Sequence, residues 1–297
     1  MLSQPSIVNQ VRYILIIFSV FLFSLTVISC AKKSDSSSSS TTNTTTSDNT
    51  TTTSSGLYIA VGASGTLLTS SDGTSWDNRT SGTTNNLYGV TYGNSTFVTV
   101  GDNGTILTSS DGTSWTNKRT SSGTSEHLYE VTYGNGLFVT VGENATILTS
   151  SDGTTWTERD GLRSKWAIPK YLKGVTYRKK LFVTVGRNGL ILNSPDGTTW
   201  TERKSGTKYN LVGITYANGL FVGVGKNGQI VTSFDGNWWV KRTYVLPTWL
   251  NGVTYGNGTF VTVGDNGIML TSSDGISWTK RTSVTTNSLS AVTYSNH

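Results

Sequence analysis

One internal repeat constrains this chain more than any other feature. The segment Leu87 to Thr120, LYGVTYGNSTFVTVGDNGTILTSSDGTSWTNKRT, returns in recognisable form to the C-terminus. Its leading leucine falls at Leu87, Leu128, Leu172, Leu211, Leu250 and Leu289, and the aspartate of its S-x-D-G turn at Asp72, Asp111, Asp152, Asp196, Asp235 and Asp274. A recurrence of about forty residues is the length of one four-stranded propeller blade. Each unit splits into four short runs, L-x-G-V-T-Y, F-V-T-V-G, T-I-L-T-S-S and S-W-T-x-R-T, separated by G-N-G, D-N-G and D-G. Asn-Gly and Asp-Gly suit tight hairpins, because both central residues of a type I′ turn need φ > 0. No run has helical periodicity, so the chain is all-β.

The first unit, Leu57 to Thr80, lacks its opening run, and the last is followed by an orphan copy of that run, Leu289 to Tyr294. Together the two fragments make one blade. The count predicts a six-bladed β-propeller of four-stranded antiparallel blades, its ring closed by the C-terminal strand completing the N-terminal blade. Closure of that kind removes the exposed edges of an open sheet.

The turns SSDGTSW (Ser70 to Trp76 and Ser109 to Trp115), SSDGTTW (Ser150 to Trp156), SPDGTTW (Ser194 to Trp200), SFDGNWW (Ser233 to Trp239) and SSDGISW (Ser272 to Trp278) resemble the Asp box, or BNR repeat. That motif marks sialidase-like propellers, photosystem II assembly-factor-like propellers and sortilin-type receptors, where it joins the third and fourth strands. Here the turn is shorter: Asp and Gly are adjacent, and Trp follows Asp by four positions.

Ahead of the repeats the chain changes character. Arg12 precedes an apolar run, Tyr13 to Ile28, with the charge, length and flank of a signal-peptide core. The run ends in Val27-Ile28-Ser29-Cys30, which resembles the lipobox of a bacterial lipoprotein, of the looser spirochaete type. Residues 1–29 are thus expected to be removed, and Cys30, the single cysteine, to be acylated. Residues 30–56 form a Ser/Thr-rich tether too poor in apolar side chains to order itself. About 25 flexible residues span roughly 25 to 30 Å, so residues 57–297, the propeller, can stand clear of the headgroups. The expected setting is the cell envelope, as an outer-membrane lipoprotein, periplasmic or surface-exposed, monomeric, with the membrane as partner through the anchor.

Residues repeated once per blade cannot converge on one ligand. The six turn aspartates are therefore read as structural caps, accepting backbone N–H groups within their own turns, and the six turn tryptophans as packing between blades. The repeated Arg79, Arg119, Arg159, Arg203, Arg242 and Arg281 are assigned to the outer strand. An active sialidase needs an arginine triad, a Tyr–Glu pair and an Asp acid, and no Arg-Ile-Pro-like segment introduces them. Asp102, Glu143 and Asp265, in second-to-third-strand turns, are the carboxylates that suit a divergent glycosidase best. With His127 and His297 the only histidines, no metal set or nucleophilic triad can be assembled. No phosphate-cradling loop precedes a helix, and neither a cofactor nor a nucleic-acid partner is expected. His127, beside Glu126 and Glu130, is placed on a solvated strand edge.

Departures from the repeat locate the candidate ligand site. Three consecutive blade-to-blade loops break the small, polar pattern and bring in Trp166, Tyr171, Tyr209, Tyr244 and Trp249, with Arg163, Lys165, Lys170, Lys204 and Lys208 among them. Between Glu158 and Lys208 twelve Lys or Arg stand against four Asp or Glu, in a chain of net charge +6. Arg187 and Lys226 add cations where other blades carry Asp102, Glu143 and Asp265. Arg178, Lys179 and Lys180 fall on the opposite rim and are read as solvated surface. Exposed aromatics beside cations on a rigid scaffold compose a binding surface. The sequence therefore favours a non-enzymatic, lipid-anchored binding module for a protein or anionic glycan, host matrix included. An envelope assembly or scaffolding factor is the first alternative and the glycosidase the second.

Replacing Cys30 with Ala is expected to abolish partitioning of the chain into the detergent phase of a two-phase extraction. Partitioning that survives the change would remove the anchor reading.

Overall fold

The structure is a computed structural model that describes residues 27–32, 57–117, 124–159, 170–242 and 247–294. The expected signal peptide and tether lie outside these residues, apart from Val27–Lys32. The described chain folds into six four-stranded antiparallel sheets and no α-helix, a six-bladed β-propeller as the repeat count predicts. In the second blade, β5 (Leu87–Gly93) is followed by β6 (Thr96–Gly101), β7 (Ile106–Ser109) and β8 (Thr116–Asn117), each paired with the next. The other blades repeat this meander as far as β24 (Thr279–Arg281).

The joints follow from local chemistry. The first turn of a blade is the two-residue kind, with both residues at positive φ, as at Asn135 and Gly136. The second is a single 3-10 turn in which Asn103 and its counterparts take the left-handed conformation. In the third, Gly73 N–H donates to Ser70 Oγ (2.7 Å), and Thr74 and Ser75 N–H donate to Asp72 Oδ1 (2.7 and 2.8 Å). Trp76 Nε1 then donates back to the Gly73 carbonyl (3.2 Å). The same set recurs at Asp111, Asp152, Asp196, Asp235 and Asp274.

That turn is also the wedge between blades. Gly197 sits at φ +74°, and a Cβ there would meet Leu137 Cδ2 at 2.7 Å and Val139 Cγ2 at 3.4 Å, side chains of the preceding blade. Behind it Tyr177, Phe182 and Trp200 stack with ring centroids 4.5 and 6.4 Å apart, and the stack is enclosed by Val139, Val141, Leu172 and Leu192. Burying a phenylalanine contributes about 1.5–3 kcal/mol and the ring geometry only about 0.5–1.5 more, so burial dominates. On the outer strand Arg79, Arg159, Arg242 and Arg281 donate through Nε to a threonine on the third strand, and Arg203 to Asn193.

The first blade is assembled differently from the rest. Its second to fourth strands are β2 (Tyr58–Gly62), β3 (Leu67–Ser70) and β4 (Asp77–Asn78), and its inner strand is β1, Val27–Lys32. The sequence assigns that slot to Leu289–Tyr294. In the structure that segment makes no ladder with β2 among the described residues. It lies beside β21 (Leu250–Gly256), where a Cβ on Gly252 would meet Ala291 Cα at 3.1 Å. The physical reason is that β2 presents a row of unpaired N–H and C=O groups that an extended segment can satisfy whatever its side chains. Gly73 correspondingly has only Tyr58 within reach, whereas the matching glycines abut the preceding blade.

Hydrogen bonding holds the six turn carboxyls below their usual range, with Asp274 near 2. A depressed folded value means stability that is complete above the unfolded pKa, about 3.9, and lost as pH falls through the folded one. Urea unfolding midpoints should therefore drop steeply from about pH 4 towards pH 2, and Asp196→Ala should lower the midpoint at pH 7 while making that acid limb shallower. An unchanged acid limb in this variant would show that the cap does not stabilise the turn.

Candidate functional site

Topology places the second turn of each blade on one rim with the loops that enter its own blade and the next, and backbone bonds stitch them together. Asp102 N–H donates to Asn86 O, Glu143 to His127 O, Arg187 to Tyr171 O, Lys226 to Asn210 O and Asp265 to Trp249 O, all within 2.8–3.0 Å. The third residue of the turn reaches the following loop: Gly104 N–H to Glu126 O, and Gly228 N–H to Thr248 O. Side chains on these positions are thus held by fixed backbone around the mouth of the central channel.

The first residue of each second turn sets the local charge. Around the ring it reads Ala63, Asp102, Glu143, Arg187, Lys226 and Asp265. In the cationic sector the Arg187 guanidinium lies 5.4 Å from the Tyr171 ring centre, and Lys226 Nζ lies 5.4 Å from that of Trp249. The structure thus joins four of the sequence-selected residues into two cation–aromatic pairs. Lys170 Nζ lies 3.9 Å from Glu202 Oε1. Lys208 is exposed and Tyr209 half-buried, its N–H bonded to Thr207 Oγ1. Arg163, Lys165, Trp166 and Tyr244 lie outside the described residues.

The acidic sector is more structured than the sequence reading made it. His127 is not a simple solvated edge: Nδ1 lies 2.8 Å from Asp102 Oδ1 and Nε2 4.0 Å from Glu143 Oε2. Tyr129 Oη donates to Glu143 Oε1 at 2.6 Å, which with burial drives its phenol well above the normal range. Tyr88 packs 5.5 Å from Tyr129, and burial with the Asp102 hydrogen bond raises it to about 12. Lys173 Nζ sits 3.0 Å from the Tyr129 ring centre and 5.9 Å from that of Tyr171, and burial lowers it to about 8 despite Glu143. One continuous chain of contacts therefore runs from Asp102 through His127, Glu143, Tyr129 and Lys173 to Tyr171 and Arg187.

Tyr88, Tyr129 and Lys173 were not selected from the sequence, yet a signal was there. They occupy the second position of the inner strand, which reads Tyr88, Tyr129, Lys173, Val212, Asn251 and Ser290 while its neighbours barely change. Glu130 likewise stands where four of the other inner strands carry glycine at the mouth-proximal end, Gly89, Gly174, Gly213 and Gly252. The residue keeps some exposed surface, but its carboxyl is enclosed between inner strands, and burial pushes it up to about 8 against one hydrogen bond from Val131 N–H.

Chemically this rim can bind charge and flat groups. Of the three carboxylates suited to hydrolysis, Asp102 and Glu143 are both engaged by His127, and Asp265 accepts from Asn251 Nδ2 at 2.9 Å in another blade. Among the described residues no three His, Cys, Asp or Glu gather closely enough to hold a metal ion. A shallow polar cleft of about 730 Å³ on the first blade, lined by Ser64, Arg79, Ser81 and Asn85 among others, contains no carboxylate or histidine.

No protein-family model matches the chain, and no curated protein sequence does. Solved structures do. YCF48 bound to D1 peptide is similar with 18% identity and a TM-score of 0.59, over 75% of this chain and 76% of that one. YCF48 from Cyanidioschyzon merolae is similar with 16% identity and a TM-score of 0.60, over 76% and 80%. The WD40 β-propeller domain of Doa1 covers 90% of this chain and 86% of its own at 12% identity and a TM-score of 0.63. These likenesses show the propeller fold.

A carboxyl raised in the folded state favours folding while protonated, so its contribution is lost as pH rises from its unfolded value towards 8. Glu130→Gln is expected to leave stability near pH 4.5 unchanged and to raise it at pH 8 and above. A variant equally stable with the parent at pH 8.5 by urea unfolding would place the carboxylate in water.

Proposed function

We propose that this protein is a binding module, not an enzyme, and that its rim captures an acidic segment of another protein. The observation that carries the reading is the cationic sector of blades four and five, where Arg187 lies over Tyr171 and Lys226 over Trp249 on backbone-fixed positions. A guanidinium and an ammonium set on aromatic faces are partly desolvated and pre-positioned, so an incoming carboxylate meets ordered donors. The same geometry disfavours the anionic glycan, since the ring faces that would stack on sugars already carry cations. The neighbouring Asp102, Glu143 and Asp265 limit the attractive sector, which selects a ligand by where its charge sits.

Peptide binding by a similar propeller, YCF48, supports a protein partner and keeps an assembly or scaffolding role as the second reading. The lipobox-like Val27 to Cys30 and the Ser/Thr-rich segment after it support presentation of this rim from a cell-envelope membrane, a reading in which removal of residues 1–29 and acylation of Cys30 vacate the inner slot that Val27–Lys32 hold in the first blade and leave it to Leu289–Tyr294.

Arg187→Glu combined with Lys226→Glu should slow association with acidic peptides about tenfold or more and flatten its dependence on salt, with dissociation changed less. Surface-bound arrays of acidic peptides, neutral peptides and sulfated glycans, probed with parent and variant, supply the measurement. Equal binding of both proteins to the acidic peptides, or binding confined to the glycans, would overturn the proposal.

A further inference from the structure

The fifth blade breaks the repeat a second time, on the face opposite the rim. Its turn carries Phe234, Trp238 and Val240 where the second blade has Ser110, Ser114 and Thr116. All three point outward, 62%, 82% and 50% exposed, whereas the corresponding turns of the other blades are faced mainly with Ser and Thr, apart from Pro195 and Ile276. The Trp238 N–H is bonded to Asp235 Oδ1 at 3.0 Å, so its backbone is fixed while its indole stands in solvent, unlike Trp239, which is buried between blades.

Beside this patch lies the turn Arg178-Lys179-Lys180 of the fourth blade, all three residues exposed. Lys179 Nζ donates to the Phe234 carbonyl at 3.2 Å and lies 5.7 Å from the Tyr216 ring centre, which joins the two turns into one surface. No carboxylate among the described residues pairs with these cations. The turn is strained: Lys179 and Lys180 hold φ values of 52° and 59°, where the corresponding turns use Asn94-Ser95, Asn135-Gly136, Asn218-Gly219 and Asn257-Gly258. Two lysines in a conformation that suits Asn and Gly persist only where the surrounding structure holds them, and such outliers concentrate at functional surfaces.

We propose that this face docks on an anionic lipid surface, with Trp238 and Phe234 entering the headgroup layer and Arg178, Lys179 and Lys180 contacting lipid phosphates. An indole and a phenyl ring beside clustered cations is the composition by which proteins lie on membranes of negative surface charge. Within the patch three cations stand beside one carboxylate, Asp235 between Phe234 and Trp238, and this local excess of positive charge suits an anionic lipid surface, whereas a second copy would set the same excess against itself. Strand topology puts the rim on the opposite side, so docking here leaves the rim facing away from the bilayer. Neither Arg187 nor Lys226 belongs to this face, so the two surfaces act independently.

The test uses the full chain reconstituted into vesicles of phosphatidylcholine alone or with phosphatidylglycerol, each made with and without brominated acyl chains. Fluorescence of the parent minus that of Trp238→Phe isolates this indole. Quenching of the Trp238 signal by brominated lipid in the anionic vesicles, at least severalfold above that in the neutral ones and weakened by salt, is expected. The variant Lys179→Asn with Lys180→Gly restores the turn residues of the other blades and relieves the strain, so it should fold at least as stably while losing that quenching. Equal quenching in neutral and anionic vesicles, or retention of quenching in this variant, would overturn the proposal. Burial of Trp238 in lipid-free detergent that grows with protein concentration would assign the patch to self-association instead and overturn it equally.

Discussion

One interaction sets the geometry of every blade: the aspartate that accepts two backbone N–H groups inside its own turn. Asp196 Oδ1 takes those of Thr198 and Thr199 at 2.8 Å each, Ser194 Oγ takes that of Gly197, and Trp200 Nε1 returns to the Gly197 carbonyl. These bonds satisfy a tight turn that would otherwise leave polar groups open. They also fix Gly197 with its bare Cα against Leu137 and Val139 of the preceding blade, and aim Trp200 at Phe182. A polar cap on one residue thus decides how closely two sheets approach, and the apolar core lies between the blades rather than within them.

A scaffold specified by repetition leaves few positions free to vary, and the free ones are where the molecule departs from symmetry. On the rim they are the first residue of each second turn and the second residue of each inner strand. Their side chains project beyond the inter-blade packing, so charge can be placed there without disturbing the Tyr–Phe–Trp stacks. The outcome is an uneven ring in which Asp102, His127, Glu143 and Tyr129 engage one another while Arg187 and Lys226 rest on aromatic faces. Attraction for an anion is therefore confined to one sector.

How much of this was legible in the sequence divides along the same line. The recurrence of L-x-G-V-T-Y and S-x-D-G-x-x-W declares the blades, their strand order and their number, because each run must meet the same environment in every copy. Tyr171, Trp249, Arg187 and Lys226 were legible as departures from the pattern, but their pairing was not, since it depends on which loop carbonyl each turn N–H reaches. His127 was misread because its partners Asp102 and Glu143 come from second turns of two different blades, distant in the chain and adjacent only once the ring forms. Phe234 and Trp238 were hidden by their position inside a motif, where an aromatic beside the structural Trp239 passes for part of the core.

The first blade shows where repetition stops specifying the fold. β1 pairs with β2 in the register that every other inner strand uses: Val27 opposite Gly62, a bulge, then Ser29, Cys30, Ala31 and Lys32 opposite Val61, Ala60, Ile59 and Tyr58. In the second blade Leu87 is opposite Gly101, and after the bulge Gly89 to Tyr92 are opposite Val100 to Phe97. The slot is therefore defined by backbone hydrogen bonds, and β2 accepts a segment that shares no side-chain pattern with the repeat. Leu289–Tyr294 carries that pattern, with Val292 and Tyr294 matching Val90 and Tyr92, side chains that elsewhere join the inter-blade core. Backbone pairing alone leaves the two segments equivalent on β2, whereas side-chain burial favours the C-terminal one. The structure nevertheless places β1 in this slot, so backbone pairing sets the joint, and its strength depends on which part of the chain supplies the strand.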